Sequence, residues 1–303
     1  VPLPLVGGPE CERNMPMWDF FWDFPSTISL PLDDWIDTIV KWIAIEGDAI
    51  FDFIGDKLLY LLVRLERGLL WVPWWVVILV FAAAGWRLLG RKMALGVVLS
   101  MTLIGALGFW DPAMQTLAIV IAASILAVIT GLPIGIVVGR SNILGQIIRP
   151  LLDLMQTMPS FVYLIPVLMV FPLGPVPALI ATFIYAIPPV IRLTDLGIRQ
   201  VASDVVEAAH AFGSTSWQLL VRVQLPLAMP TIMAGINQTI MMALSMVVIA
   251  AMIGAGGLGS EVLRGIGRLE VGHGFASGIS IVVMAVIIDR LTQGLVRQEE
   301  PQD

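Results

Sequence analysis

Apolar segments long enough to cross a bilayer, separated by short polar loops, are the feature that most constrains the fold of this chain. A hydrocarbon core of about 30 Å needs about 20 apolar residues per helix. A window of that length predicts seven spans, which lie near residues 72–87, 93–110, 113–139, 150–171, 176–192, 229–253 and 275–292. Because 58% of the residues are hydrophobic and only 13% are charged, a water-soluble fold could not bury them. The sequence therefore predicts an all-α polytopic membrane protein with about seven transmembrane helices.

The basic residues of the short loops predict the orientation of the chain. Four polar regions that fall on one side of the membrane contain Arg87, Arg91, Lys92, Arg140, Arg149, Arg192, Arg199, Arg222, Arg290 and Arg297. Arg264 and Arg268 would lie on the other side, close to Glu261 and Glu270. Since short loops rich in Lys and Arg favour the cytoplasm, we expect the N-terminus outside and the C-terminus in the cytoplasm.

The acidic N-terminal part differs from the rest of the chain. Apolar residues recur at helical spacing over 33–67 with acidic residues between them, which predicts an amphipathic helix in the membrane interface. Gly47 is a candidate bend, and the aromatic run at 18–24 suits the headgroup region. The first residues lack the basic segment and apolar run of a signal peptide. The predicted domains are residues 1–70 for an extracytoplasmic tail with its interfacial helix, 71–292 for the transmembrane domain and 293–303 for a short cytoplasmic tail.

The polar loop of residues 193–228 carries a motif with fixed spacing, E-A-A-x3-G-x9-V-x-L-P. Its fixed positions are Glu207, Ala208, Ala209, Gly213, Val223, Leu225 and Pro226. Small side chains at Ala208 and Ala209 allow another protein to approach the backbone closely. We therefore interpret the loop as a docking element for a cytoplasmic partner.

The same loop predicts two short helices. Asp204 is expected to cap the first, and Gly213 is expected to end it, as glycine does after a helix. Ser214 or Ser216 is expected to begin the second, and Pro226 to mark the return to the membrane.

The sequence offers no site for catalysis, cofactor or metal. No G-x-x-x-x-G-K-[ST] occurs, since none of Lys41, Lys57 and Lys92 follows a glycine, so we expect no ATP hydrolysis by this chain alone. Residues 254–259 satisfy G-x-G-x-x-G but follow a membrane helix rather than a strand, and we interpret them as a turn or gate hinge at the outer mouth. One cysteine and two histidines are too few for a metal cluster.

Polar and aromatic residues inside the predicted spans are candidates for a translocation pathway, because polar groups in lipid are costly and usually face a bundle interior. The candidates are Gln156, Thr157, Phe161, Tyr163, Asn237, Gln238 and Ser245. For each of them, helix packing remains the alternative. Asp153 and Asp289 are expected to pair with Arg149 and Arg290 or to contact water.

Gly131, Gly135 and Gly139 recur every four residues on the third predicted span. Small residues at this spacing allow two helices to pack closely. The pattern fits packing within the chain and a subunit interface equally well.

Beyond the loop, which resembles the EAA loop of permease subunits from ATP-driven importers, the chain is similar to the glycine betaine/proline (osmoprotectant) permeases of type I ABC importers. The segments that carry this resemblance are LDLMQTMPSFVY at 152–163, IPPVIRLT at 187–194, QLPLAMPTIMAGINQT at 224–239, ALSMVVIA at 243–250 and LRGIGRL at 263–269. The resemblance covers most of the chain after residue 90.

The resemblance implies a permease subunit in a bacterial inner membrane that forms the translocation pathway of a glycine betaine or proline betaine importer. It further implies a homodimer, two ATPase subunits that bind ATP and magnesium, and a separate binding protein outside. Glu207, Ala208, Ala209, Gly213, Leu225 and Pro226 would couple the pathway to the ATPase.

Several alternatives remain open. An ABC permease for choline, another amino acid or a sulfonate would carry the same EAA loop. A secondary transporter would need ionisable residues at the span centres for ion coupling, and an integral-membrane enzyme would need a catalytic cluster. The sequence supplies neither.

Overall fold

The computed structural model describes residues 32–297, and every regular element in that part of the chain is helical. The first helices are α1 (Leu32–Glu46), α2 (Asp48–Trp71), α3 (Trp74–Leu89), α4 (Arg91–Ala106), α5 (Trp110–Arg140), α6 (Asn142–Thr157) and α7 (Leu164–Val170). They are followed by α8 (Pro175–Ala186), α9 (Pro188–Arg199), α10 (Ser203–Ala211), α11 (Ser216–Leu219), α12 (Leu225–Ala250), α13 (Gly257–Gly267) and α14 (Val271–Arg297). Short 3₁₀ turns cover Ser160–Tyr163 and Ala251–Ile253, and a π-helical turn covers Leu220–Gln224.

The structure has helices at all seven predicted span positions. Not all of these helices are long and apolar enough to cross a membrane by themselves. Within residues 32–297, four helical segments are long and apolar enough to cross a membrane, or up to six if two bent pairs each count as one. The whole segments are Trp110–Arg140, Pro175–Arg199, Ser216–Ile253 and Val271–Leu295.

Proline explains part of the difference. The predicted span at 150–171 is broken by a 110° bend where Pro159 separates α6 from the next turn, because a residue before proline avoids the helical conformation. A bend of 97° separates α2 from α3 beside Pro73. The predicted span at 93–110 corresponds to α4, which has 16 residues and is short for the hydrocarbon core.

Helices α5 and α9 pack closely through the glycine ladder. A Cβ on Gly131 would lie 2.4 Å from Val190, and one on Gly135 would lie 2.6 Å from Thr194. A Cβ on Gly139 would lie 3.2 Å from Ile198. The ladder therefore serves packing within the chain, which decides between the two interpretations that the sequence left open.

The opposite face of α9 meets α12 in the same way. A Cβ on Gly235 of α12 would lie 2.9 Å from the Cβ of Leu193, and one on Gly197 of α9 would lie 3.1 Å from Thr231. Helix α9 is thus held between α5 and α12 at backbone distance. This three-helix centre connects directly to the loop that follows α9.

The predicted amphipathic helix over 33–67 is two helices, and Gly47 lies at the break between them. Helix α1 exposes Trp35, Ile36 and Ile39, which share one face. Helix α2 packs against α5, with Leu62 buried, so it belongs to the helical bundle. The aromatic run at 18–24 and the end of the predicted C-terminal tail, 298–303, lie outside the described residues.

Candidate functional site

Helix α10 presents the EAA residues at the surface. None of its side chains is buried, and Glu207 and Ala208 are exposed while Ala209 is half-buried. The prediction that Asp204 caps this helix is wrong: the helix begins at Ser203, its cap position is Ala202, and Asp204 lies in the first turn. Asp204 there still complements the positive end of the helix dipole.

Gly213 ends α10 as predicted. Its φ is +80°, a left-handed conformation that glycine adopts without a Cβ penalty. The Gly213 amide donates to the carbonyl of His210 at 2.9 Å, and the Ser214 amide donates to Ala209 at 3.0 Å. These two bonds form a Schellman motif, which satisfies the last carbonyls of the helix.

The second short helix, α11, begins at Ser216, one of the two predicted starts, and the residue that caps it is Thr215. The Thr215 hydroxyl accepts from the Gln218 amide at 3.3 Å, and the Gln218 side chain accepts from the Thr215 amide at 2.9 Å. This is a capping box. The S/T-x-x-Q pattern of residues 215–218 was the signal that could have identified Thr215 from the sequence.

Two aromatic side chains flank the turn between α10 and α11. Phe212 is 91% exposed and Trp217 is 69% exposed. Exposed aromatic residues beside a polar loop are typical of protein interfaces. The π-helical turn then leads into α12, whose first two residues are Leu225 and Pro226, half-buried and exposed respectively. All six candidate coupling residues thus lie on one continuous segment that starts at α10 and ends at the membrane helix α12.

A groove of about 490 Å³ lies beneath α10. It is lined by Glu207 and His210 on one side and by Arg140 and Arg199 on the other. The segment that carries the candidate coupling residues, from α10 to the start of α12, therefore borders the ends of α5 and α9. These are the two helices that pack through the glycine ladder.

A buried carboxylate, which was not predicted from the sequence, links α5, α6 and α9 at this point. Asp195 accepts from Arg149 of α6 at 2.8 Å and from Arg199 of α9 at 2.7 Å. Arg199 also donates to the carbonyls of Val138 at 2.9 Å and Ser141 at 3.1 Å, at the end of α5. Asp153 pairs instead with Arg192, at 2.7 Å, so the expected pair of Asp153 with Arg149 is wrong, whereas the alternative, contact with water, fits its 56% exposed side chain.

Asp195→Asn should destabilise the folded chain, because it removes the charge that two arginines share. We expect a loss of about 2 kcal/mol, below the roughly 3–5 kcal/mol of a fully buried pair, since Arg149 is 48% exposed and water screens its charge. Thermal unfolding of the detergent-solubilised chain measures this loss.

Asp153→Asn is the matched control for Asp195→Asn. The side chains of Arg192 and Asp153 are 52% and 56% exposed. An exposed ion pair of this kind contributes about 0–1 kcal/mol to stability. An equal loss for the two variants would contradict the role assigned to the buried pair.

The pathway candidates on α6 and its following turn lie in different surroundings. Gln156 accepts from Arg192 at 3.2 Å, and Thr157 donates to the carbonyl of Leu154 at 3.0 Å. Tyr163 is buried, donates to the carbonyl of Met155 and meets the ring of Tyr185 edge-to-face, with centroids 5.8 Å apart. Phe161 is 52% exposed. Gln156, Thr157 and Tyr163 therefore have hydrogen-bond partners within the chain, whereas Phe161 presents its ring to the surroundings, and all four stay candidates for the pathway.

The candidates on α12 divide in the same way. Asn237 donates to Asp289 of α14 at 3.2 Å and accepts from Thr292. Asp289 also accepts from Gln293 at 2.7 Å, so its expected pairing with Arg290 is wrong. Gln238 and Ser245 are exposed, although the Ser245 hydroxyl donates to the carbonyl of Met241 at 3.0 Å. These two residues lie two turns apart on one face of a membrane-length helix.

The G-x-G-x-x-G segment is a turn fastened to α5. Gly254, Gly256 and Gly257 all have positive φ. The Gly257 amide donates to the side chain of Gln115 at 3.0 Å, and the Leu258 amide donates to Thr116 at 2.8 Å. The first amides of α13 are thereby occupied by side chains of the same chain, which agrees with a turn rather than a phosphate site.

Sequence relatives agree with this arrangement. The model of the family described as binding-protein-dependent transport system inner membrane component matches residues 131–300. The glycine betaine/proline betaine permease protein ProW of Escherichia coli is 49% identical over 88% of this chain and 76% of that protein. The glycine betaine permease protein OpuAB of Bacillus subtilis is 48% identical over 88% of this chain and 94% of that protein. The glycine betaine/carnitine permease protein GbuB of Listeria monocytogenes is 46% identical over 89% of this chain and 96% of that protein.

A solved structure agrees at the level of the fold. A chain of the MetNI methionine ABC transporter, in an inward-facing conformation, superposes with a TM-score of 0.55 at 20% identity, over 61% of this chain and 93% of that chain. The family match and the relatives cover the helical bundle and the exposed EAA loop alike. The chain therefore belongs to the family of inner membrane components of binding-protein-dependent transport systems.

Proposed function

We propose that this chain is the permease subunit of an ATP-driven importer of glycine betaine and proline betaine. The observation that carries the proposal is the 49% identity to a glycine betaine/proline betaine permease over 88% of the chain. Two further relatives above 45% identity also carry glycine betaine in their names. The resemblance of residues 152–163 and 224–239 to osmoprotectant permeases points to the same substrate class.

The proposed orientation places the coupling loop and the C-terminus in the cytoplasm and the N-terminus outside. Support comes from the basic residues at one end of the bundle. Leu88 of α3 and Gly294 of α14 are adjacent, so the ends of these helices, with Arg87 and Arg290, lie at the same level. Arg199 contacts the end of α5, which places Arg140 at the end of the bundle where α5 and α9 finish. Basic residues of this kind favour the cytoplasmic side.

In the proposed complex, α10 docks onto an ATPase subunit. Support comes from the exposure of Glu207 and Ala208 and of the neighbouring Phe212 and Trp217. ATP and magnesium would be held by that partner, since the sequence given contains no G-x-x-x-x-G-K-[ST] pattern. A second copy of the chain would complete the pathway, and a separate binding protein would deliver substrate from outside.

Gln238 and Ser245 are proposed to face either this pathway or the second copy. An amide side chain exposed to lipid costs free energy, and polar groups inside membrane helices usually face a bundle interior or a pathway. Both residues are exposed on the single chain. Phe161, in the turn that contacts α12, offers an aromatic face, and aromatic faces attract quaternary ammonium groups.

Uptake of labelled glycine betaine tests the proposal. The chain is reconstituted in proteoliposomes with its genetically neighbouring ATPase and binding protein. We expect ATP-dependent uptake that unlabelled proline betaine reduces, because the relative that is 49% identical carries both substrates in its name. Glu207→Lys should abolish uptake while leaving the chain inserted, because it reverses the charge that α10 offers to the ATPase.

Other outcomes of the uptake experiment separate the alternatives. ATP hydrolysis without betaine uptake would support the assignment as an ABC permease and contradict the assignment of the substrate. Tests with choline, another amino acid and a sulfonate would then identify the substrate class. Uptake driven by an ion gradient without ATP would indicate a secondary transporter and contradict the proposal.

A further inference from the structure

An apolar groove of about 400 Å³ opens on the side of the bundle, between α3, α5, α12 and α14. Among its lining residues are Phe81, Ala84 and Leu88 of α3, Ile125 of α5, and Ile288 and Leu291 of α14. Its walls on α5, α12 and α14 lie within segments that are long and apolar enough to cross a membrane. Its surface therefore suits a hydrocarbon chain.

Basic residues lie beside this groove, where the last turns of α3 and α14 meet. Gly294 of α14 contacts Leu88 and Leu89 of α3, where an added Cβ would lie 2.8 Å from the Cβ of Leu88. The last turns of α3 and α14 are therefore side by side, and α4 begins two residues after α3 ends. Arg91, Lys92 and Arg290 are exposed at this corner, and Arg87 adds a further positive charge.

The surroundings of this corner match a headgroup region. The Arg91 guanidinium lies 5.8 Å from the centre of the Trp86 ring, and Trp86 is 59% exposed. Exposed tryptophan beside basic residues is typical of the membrane interface. Asp289, the residue before Arg290, accepts from Asn237 and Gln293, which directs its charge toward α12 and its own helix.

We propose that this corner is a binding site for an anionic phospholipid, with one acyl chain in the groove and the phosphate at Arg91, Lys92 and Arg290. Each feature alone would be unselective, because an apolar groove accepts any lipid and a basic loop attracts any anionic surface. Together they select a lipid that carries net negative charge, as basic pockets between membrane helices on the cytoplasmic side do. Zwitterionic lipids offer the same chains without that charge.

Titration of the full chain in mild detergent with dioleoyl phosphatidylglycerol or dioleoyl phosphatidylcholine, followed by native mass spectrometry, tests the site. We expect tighter binding of phosphatidylglycerol. Arg91→Gln with Lys92→Gln should weaken it about 25-fold, about fivefold for each residue, which corresponds to about 1 kcal/mol per basic residue near a membrane surface. Ala84→Phe should also reduce binding by filling the groove, and its thermal unfolding is measured in parallel.

The matched control replaces Arg67 and Arg268, two exposed basic residues that precede α3 and α14 and so lie near the other ends of these helices. The double variant Arg67→Gln with Arg268→Gln has the same net charge as the test variant and should bind phosphatidylglycerol as the original chain does. Equal binding of the two lipids, unchanged binding by the test variant, or an equal loss in the control would overturn the proposal.

Discussion

Gly135→Leu is expected to prevent the transmembrane domain from folding. A Cβ at this position would already lie 2.6 Å from the Cβ of Thr194 and 2.8 Å from the carbonyl oxygen of Ile191. The second of these atoms belongs to the backbone of α9, so it cannot move aside as a flexible side chain does. Overpacking a close-packed core costs about 1–3 kcal/mol or more. Size-exclusion chromatography in detergent should show loss of the monodisperse species.

Gly278→Leu is the control for this effect. Gly278 also lies within a membrane-length helix, α14, but an added Cβ there would meet nothing within 4 Å. We expect this variant to elute as the original chain does and to retain its thermal stability. If both variants behaved alike, the loss would come from the glycine-to-leucine change in any helix and not from the contact of α5 with α9.

Gly213→Val is expected to abolish transport while the chain remains inserted. The Gly213 φ of +80° costs an ordinary residue about 1–2 kcal/mol, and a β-branched side chain fits this conformation poorly. The Schellman motif would open, and α10 would lose its fixed position relative to α11. ATP-dependent uptake and ATP hydrolysis are measured on the same proteoliposomes.

The companion variant Gly213→Asn separates backbone conformation from side-chain size. Asparagine adopts the left-handed conformation more readily than other residues, and a Cβ at Gly213 meets nothing within 4 Å. We therefore expect Gly213→Asn to keep most of the uptake. Loss of uptake in both variants would show that bulk, rather than backbone conformation, is what the loop excludes.

Interactions between neighbours in the sequence were predicted well. Gly213 ends α10 as expected, since a C-terminal glycine acts through bonds to residues only three and five positions earlier. The break of the amphipathic segment at Gly47 is equally local. The wrong cap, Asp204, is an error of two residues, since the cap position is Ala202. Several residues near 202 suit a helix start, and their sequence alone does not rank them.

Ion pairs across helices were not predictable. Arg149 and Asp153 are four residues apart, a spacing at which helical neighbours attract, yet each pairs with a residue of α9. Arg192 and Asp195 lie on the side of α9 that meets α6, and the buried Asp195 pairs with two arginines. The sequence contains these residues, but it does not reveal which helices pack against each other.

The sequence alone determined that this chain spans a membrane, that it carries an exposed EAA loop and that it resembles osmoprotectant permeases. Hydrophobic length, local helix signals and fixed motif spacing are all properties of contiguous residues. Only the tertiary structure decided that the ladder of Gly131, Gly135 and Gly139 packs against α9 of the same chain, that Asp195 joins three helices, and that an apolar groove lies between α3, α5, α12 and α14. Small-residue spacing and charge are compatible with many partners, and the packing of distant helices selects one of them.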